Sequence, residues 1–205
     1  MVALALAYAG SGTYTDIATH EGFATVSFRE RDGSRRPEAL PELLAIHDGW
    51  MRYITGRGGM PGGSFTVDLF TRDEQAHMRD VRAVFIGFEL AAAIGVGIAV
   101  LLPLRAAKRS GVAALVLVRD AAIAAAIGTA IVAAVAALAF DSLFLLFHQV
   151  FFPQGNFLFG PDSNLIAMYP DAYWYGITLR VGVTFVGAMA LVALASAATL
   201  RRARR

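Results

Sequence analysis

Residues 121–140 read AAIAAAIGTAIVAAVAALAF, and no side chain in this stretch carries a charge. A helix of about 20 apolar residues crosses the hydrocarbon core of a bilayer, and helices satisfy their backbone hydrogen bonds there. Two further windows are similar: residues 83–104 contain one charge, Glu89, and residues 177–200 contain one, Arg180. The three windows predict an all-α membrane protein with three full transmembrane helices.

The composition agrees with a membrane protein and excludes several kinds of site. Hydrophobic residues make up 57% of the 205 residues, which is more than soluble domains usually contain. The chain has no cysteine, so disulfides, cysteine-ligated metals and a thiol nucleophile are excluded. The net charge is only +2, and we therefore expect no nucleic-acid partner.

The basic residues predict how the spans are oriented, because Arg and Lys are enriched in cytoplasmic loops. Residues 105–120 and the tail 201–205 each contain four basic residues, whereas residues 141–176 contain none. We therefore expect 105–120 and the C-terminus to be cytoplasmic. The same argument makes residues 141–176 an interfacial loop outside the cytoplasm and residues 11–82 a small extracytoplasmic lobe of a multi-pass protein.

Residues 1–10 begin with the apolar run Met1 to Ala9. The run is too short to span a bilayer, and it lacks the basic region of a signal peptide. We expect a truncated N-terminal transmembrane helix, of which only the outer end is present. The alternative is an N-terminus that inserts outward together with the first full span.

The lobe is expected to contain two helices and one hairpin. Residues 11–35 favour a loop with one short hairpin at the Asp32-Gly33 turn. At about 41–55, apolar residues at helical spacing and Pro41 near the first turn predict an amphipathic helix. Thr71 and Glu74 fit a capping box. A helix over 72–82 should therefore run without a break into the first membrane window.

Two histidines on different helices are expected at similar depth near the outer face. His77 lies six residues before the first window, and Asp73 and Asp80 share its helical face. His148 lies eight residues after the second window, in a segment rich in aromatic residues. These positions predict a site at the outer interface, although aromatic belts occur at this depth whatever the function. His20 and His47 are expected to be surface or packing residues.

Glu89 and Arg180 are the charges inside the outer halves of their windows. Unpaired charges at that depth are costly, so we predict that the two side chains form an ion pair. The functional alternative is that Arg180 holds a substrate headgroup.

The segments around the two histidines resemble a known family. HMRDVR at 77–82 precedes a span, LFLLFHQVFFPQGNFLF occupies 143–159, and LIAMYPDAYWY occupies 165–175. Together they resemble the bacterial lipoprotein intramolecular transacylases over roughly residues 36–200. Three differences are visible, one of which is that the acidic segment GPDSN at 160–164 is shorter than the family pattern. The family usually has four spanning helices, and it commonly has Trp where this chain has Phe157.

The resemblance implies a membrane acyltransferase of the bacterial cytoplasmic membrane, with its site at the outer face. Such an enzyme moves an acyl chain from the glycerol sn-2 ester to the α-amine of the N-terminal cysteine of a lipoprotein. The product is a lyso-form lipoprotein. The implied partners are diacylglyceryl-modified lipoproteins and membrane lipid, and no cofactor is required.

The implied reaction suggests roles for particular residues. We expect His148 to act as general base and acid, and His77 to orient the substrate or stabilise charge while Asp80 fixes its tautomer. Oxyanion donors are expected among Arg72, Arg79 and Asn156. Further substrate-binding candidates are Asp162, Tyr169 and Arg180.

Two other functions remain open at this point. A metal-dependent membrane hydrolase would use His77, Asp80 and His148 as a two-histidine, one-carboxylate set. A non-catalytic membrane subunit is the second alternative. A permeation path is not favoured, because residues 121–140 contain only Thr129 as a polar side chain.

Overall fold

The computed structural model describes residues 1–30, 32–60 and 69–203. The helices are α1 (Val2–Tyr8), α2 (Ser11–His20), α3 (Leu40–Ile54), α4 (Arg72–Ala107), α5 (Gly111–Leu138), α6 (Phe140–Phe151), α7 (Asn164–Met168) and α8 (Asp171–Ala203). The strands are β1 (Thr25–Arg29) and β2 (Arg35–Ala39). The predicted lobe includes residues 31 and 61–68, and the predicted tail includes 204–205; these lie outside the described residues.

The predicted three full spans are confirmed by α4, α5 and α8, which are each long and apolar enough to cross a membrane. Helices α5 and α8 approach closely, since a Cβ added at Gly182 would lie 3.2 Å from Cβ of Ala133. Small residues permit such contacts between helices in lipid. Helix α1 is bound to α8 by a hydrogen bond of 2.8 Å between the hydroxyls of Tyr8 and Thr184.

The links between the spans differ from the predicted loops. Residues 105–120 are mostly helical, because α4 continues to Ala107 and α5 begins at Gly111 with Ser110 as its N-cap. Residues 141–176 contain the rest of α6, all of α7 and the first six residues of α8. The predicted boundaries were placed where charged residues begin. Polar and basic residues do not by themselves end a helix, so the helices continue past these boundaries until a helix-ending signal such as a cap or glycine occurs.

Helix α2 corrects the prediction of a loop over residues 11–20. Its sequence is rich in Ser, Thr and Gly, which have weak helix propensity. Packing nevertheless stabilises it, because Tyr14, Ile17 and Ala18 are buried in the core of the lobe. The predicted hairpin is present: β1 and β2 pair antiparallel, and Gly33 adopts a φ of +85° in the turn between them.

Helix α3 covers the predicted amphipathic segment, with Pro in its first turn. The apolar residues at helical spacing face the core, where Leu43 and Trp50 have no exposed area. His47 is also fully buried. Its ring nitrogens bond the Tyr169 hydroxyl at 3.0 Å and the backbone carbonyl of Ala9 at 2.8 Å. His47 is therefore a packing residue, and His20 is an exposed one.

Helix α4 begins with the predicted capping box, in which Thr71 and Glu74 bond each other's backbone N–H groups. It continues without interruption from the lobe into the apolar window 83–104. His77 therefore lies on the part of α4 that precedes the membrane, one turn after its anchored first residues.

Candidate active site at the histidine pair

His77 and His148 lie side by side where α4 and α6 meet. Their ring centroids are 5.9 Å apart and their planes differ by 19°. Aromatic rings enclose the pair: Phe152 lies 4.7 Å from His77, and Phe144 lies 4.3 Å from His148. The Phe157 ring lies 5.1 Å from that of His148 and is tilted by 45° against it. The structure thus brings together the two histidines whose similar depth the sequence indicated.

The hydrogen bond of His148 determines which of its nitrogens is available. Nδ1 lies 2.8 Å from the backbone carbonyl of Phe144, one turn earlier in α6. A carbonyl oxygen only accepts, so Nδ1 carries the proton and Nε2 of the neutral ring keeps its lone pair. Burial lowers the pKa of His148, and the Phe144 carbonyl and the charge of Asp171 oppose this effect. A neutral imidazole with a free Nε2 is suited to act as a base.

His77 is more deeply buried, with 6% of its surface exposed. Burial and the neighbouring His148 lower its pKa to about 4, while Asp80 and Asn156 act in the opposite direction. Among the described residues, none forms a hydrogen bond with its buried Nδ1. Buried polar atoms are normally paired. Nδ1 of His77 is an exception to this rule, directly beside a second histidine, and buried groups of strongly lowered pKa are often found at functional sites.

Asp80 does not fix the tautomer of His77 as predicted. Its Oδ2 accepts hydrogen bonds from the side-chain amides of Gln154 at 2.7 Å and Asn156 at 2.6 Å. Gly155, between them, has a φ of +77°, which turns the chain so that both amides meet one carboxylate. Asp80 acts on His77 through its charge, and it attaches the segment after α6 to α4.

Glu74 is a second attachment between these segments, which the sequence analysis missed. Its buried carboxylate accepts from the Ser163 hydroxyl at 2.5 Å and the Leu165 N–H at 3.0 Å, besides both donors of Thr71. The capping box was visible in the sequence. The contacts with Ser163 and Leu165 were not, because they join residues about 90 positions apart.

Two predicted oxyanion donors do not face the pair. Arg79 is exposed and follows His77 by two residues, which places it about 200° away around α4. Arg72 is exposed at the first position of α4, in a cleft on the lobe side. Asn156 is the predicted donor that does lie at the site, since it affects the pKa of His77.

Three predicted substrate-binding residues have structural partners instead. Asp162 pairs with Arg29 at 3.2 Å and also with Arg35 on the lobe surface. The buried Tyr169 bonds His47.

Arg180 pairs with Asp16 of α2, so the predicted ion pair with Glu89 is wrong. Asp16 belongs to the stretch that was predicted to be a loop, and its position beside α8 followed only from the fold of α2.

The metal alternative requires three ligands around one point. Within residues 1–30, 32–60 and 69–203, no group of three His, Asp or Glu side chains is arranged to hold a metal ion. His77, Asp80 and His148 therefore do not form the set that the hydrolase reading needs, and Oδ2 of Asp80 is already bonded by two amides.

The chain is similar to known proteins in sequence and in fold. The family model of the lipoprotein intramolecular transacylase Lit matches residues 42–174, which include both histidines. A solved structure with a similar fold is the in meso structure of the membrane integral lipoprotein intramolecular transacylase Lit from Bacillus cereus. It has a TM-score of 0.64 and 18% identity, and the match covers 99% of this chain and 90% of that one. No curated protein sequence matches the chain. Because the family model covers more than half of it, the chain belongs to the Lit family and is a membrane-integral transacylase.

Proposed function

We propose that this protein transfers the acyl chain of the glycerol sn-2 ester to the α-amine of the N-terminal cysteine of the same diacylglyceryl lipoprotein. The observation that carries the proposal is the pair of adjacent imidazoles, 5.9 Å apart, in which Nδ1 of His148 is bonded to the Phe144 carbonyl and Nε2 is left to accept a proton. Ester aminolysis needs a base for the amine and an acid for the departing alkoxide. One histidine can supply both in turn.

The proposed reaction begins when the cysteine nitrogen attacks the sn-2 carbonyl carbon. Nε2 of His148 takes the proton that the nitrogen loses, and the carbonyl oxygen becomes an oxyanion. The bond from carbon to the glycerol oxygen then breaks, and His148 returns the proton to that oxygen. The products are an amide on cysteine and a free glycerol hydroxyl, so atoms and protons balance without water or a cofactor.

His77 is proposed to bind the carbonyl oxygen as it becomes negative. Its low pKa keeps the ring neutral, and a neutral imidazole of lowered pKa can act as a hydrogen-bond donor to a carbonyl group. The two rings also cannot both be charged at low cost, since like charges at this separation repel. When His148 carries the transferred proton, His77 therefore stays neutral and keeps one N–H as a donor.

Both reacting groups belong to one substrate molecule. The attack is therefore unimolecular once the substrate is bound, and positioning supplies a large part of the rate. Asn156 and Asp80 fix the chain beside His77, which keeps the geometry of the two rings constant. Preorganised donors stabilise developing charge better than mobile ones.

The proposed location is the outer face of a bacterial cytoplasmic membrane, with the C-terminus in the cytoplasm. The histidine pair lies at the lobe end of α4, whereas Arg105 lies in the last turn of α4, Lys108 and Arg109 lie in the link to α5, and Arg201 and Arg202 lie in the last turn of α8. Positive residues favour the cytoplasmic side. The acyl chains and surrounding membrane lipid would contact the apolar surface of the bundle.

The test is mass spectrometry of the N-terminal peptide of a reporter lipoprotein from a host that lacks N-acylation. The host would carry the wild-type gene, the His148→Ala variant or the His20→Ala variant as a matched exposed control. An N-acyl peptide with a single remaining glycerol ester is expected with wild type and His20→Ala only. A diacylglyceryl peptide with an unmodified amine in all cells, with the protein present in the membrane, would refute the proposal.

A further inference from the structure

A cleft of about 860 Å³ opens on the lobe side of the histidine pair. Its walls come from the end of β1, the first turn of α4 and the segment 159–164. Phe159 connects the cleft with the histidine pair, because it lines the cleft and its ring lies 5.6 Å from that of His77. A molecule bound in the cleft is therefore separated from the site by a single side chain.

The cleft has a polar and fixed wall. Asn164 donates from its amide to the backbone carbonyls of Arg29 at 2.9 Å and Leu69 at 2.5 Å. Gln75 donates to the carbonyl of Phe70 at 2.9 Å. Side chains held in this way lose little freedom when a ligand binds. The lining combines these polar groups with the apolar side chains of Leu69, Phe70 and Phe159, a mixture that suits a peptide with its polar backbone and varied side chains.

Arg72 is a positively charged residue of this cleft, and it occupies a helix position where positive charge is unfavourable. It is exposed at the first position of α4, where the helix dipole disfavours positive charge. Among the described residues it forms no ion pair. Arg29, the other cation of the cleft, is paired with Asp162. The guanidinium of Arg72 is therefore available to a ligand in the cleft.

The other flank of His148 is apolar. Phe147, Val150 and Phe151 of α6 are exposed, and the Phe151 ring lies 5.3 Å from that of Phe88 in the membrane window of α4. The site thus has an apolar flank on α6 and, at the cleft, a flank that combines polar and apolar groups. A lipoprotein substrate has the same two parts, because acyl chains and a polypeptide both extend from its modified cysteine.

We propose that the cleft binds the polypeptide that follows the modified cysteine, with Arg72 contacting backbone carbonyl oxygens or carboxylates of that segment. The proposal rests on the transacylase function proposed above, and it adds a peptide subsite to that function. Gly160 offers a way to block the cleft. It lines the cavity, and a Cβ built on it meets nothing within 4 Å.

The experiment compares two synthetic substrates with the purified protein in zwitterionic lipid nanodiscs. Both carry a diacylglyceryl cysteine; one has a single further residue, and the other has about ten. The variants are Gly160→Phe, which fills the cleft, and Arg72→Ala, which removes the charge. Matched controls are Gly12→Phe, at an exposed glycine of α2 that also has open space around it, and Arg52→Ala, at an exposed arginine outside the cleft.

We expect each cleft variant to lower kcat/KM for the long substrate by about tenfold or more, mainly through KM, and to change the short one by less than about twofold. The controls should leave both values unchanged. Equal losses on both substrates, or none on either, would overturn the peptide subsite. A loss of kcat/KM on both substrates that appears only in nanodiscs of anionic lipid would assign the cleft to a lipid headgroup, and this result would also overturn the peptide subsite. If wild type converted neither substrate, the transacylase function itself would fail.

Discussion

The buried carboxylate of Glu74 should be essential for the stability of the lobe end of the bundle. It accepts hydrogen bonds from Thr71, Ser163 and Leu165, and it therefore attaches the segment after α6 to the start of α4. Replacing it with alanine breaks the capping box and leaves the donors of Ser163 and Leu165 without an acceptor. The perturbation chosen is Glu74→Ala, with Asp73→Ala as its control.

The magnitude follows from these bonds. Loss of a helix N-cap costs about 1 kcal/mol, and each buried donor left unsatisfied costs about 1–3 kcal/mol. Only the Leu165 bond is fully buried, whereas the Ser163 hydroxyl is partly accessible. We therefore expect a loss of about 3 kcal/mol, which lowers Tm by roughly 6–12 °C for a protein of this size.

Asp73 is the neighbouring acidic residue in the same first turn, and it is exposed. Its removal loses only the interaction with the helix dipole, worth about 0.3–1 kcal/mol. The assay is thermal unfolding in detergent micelles, followed by tryptophan fluorescence, since Trp50 is buried in the lobe. Equal shifts of Tm in Glu74→Ala and Asp73→Ala would refute the reasoning about the attachment.

Three further predictions concern the site and the lobe. His148→Gln should lower kcat by about 10²–10⁴ with little change in KM, because general acid–base catalysis contributes that range; a change confined to KM would contradict the assignment. Burial lowers the pKa of His77 and His148, so both rings gain a proton only below the usual value of about 6.5. The kcat/KM profile should then show no break near pH 6.5, and should instead show one break at the pKa of the substrate amine, about 7.7–8.0; a separate break near pH 6.5 would argue against neutral imidazoles. A double-mutant cycle of Asp16→Asn and Arg180→Gln should give a coupling free energy of up to about 1 kcal/mol, since both side chains are partly exposed. If these two substitutions were additive while Glu89→Gln and Arg180→Gln showed a measurable coupling, the ion pair of Glu89 with Arg180 would be restored.

The spans could be predicted because a run of about 20 apolar residues is a local signal. The capping box of α4 and the turn at Gly33 are equally local. Helix α2 could not be predicted, since it depends on burying Tyr14 and Ile17 against residues far along the chain. The error about Arg180 has the same origin. Its partner Asp16 is placed by α2, so a missed helix led to a wrong ion pair.

The candidate site was predictable in position but not in detail. The depth of His77 and His148 along two helices follows from a rise of 1.5 Å per residue, and this was enough to expect them together. The tautomer of His148 depends on the Phe144 carbonyl. The partners of Asp80 depend on the turn at Gly155, which a sequence does not specify in three dimensions.

The central claim is that His148 promotes transfer of the sn-2 acyl chain to the amine of the same molecule. The direct measurement is a crossover experiment with purified protein and two mixed lipopeptides. One has an isotopically labelled sn-2 acyl chain and a heavy peptide, and the other is unlabelled in both parts. Mass spectrometry should find the labelled acyl chain as an amide only on the heavy peptide, and it should detect no free fatty acid. The His148→Gln variant should give no amide product. Scrambled labels would contradict intramolecular transfer, and release of free labelled fatty acid would show that the protein hydrolyses the ester.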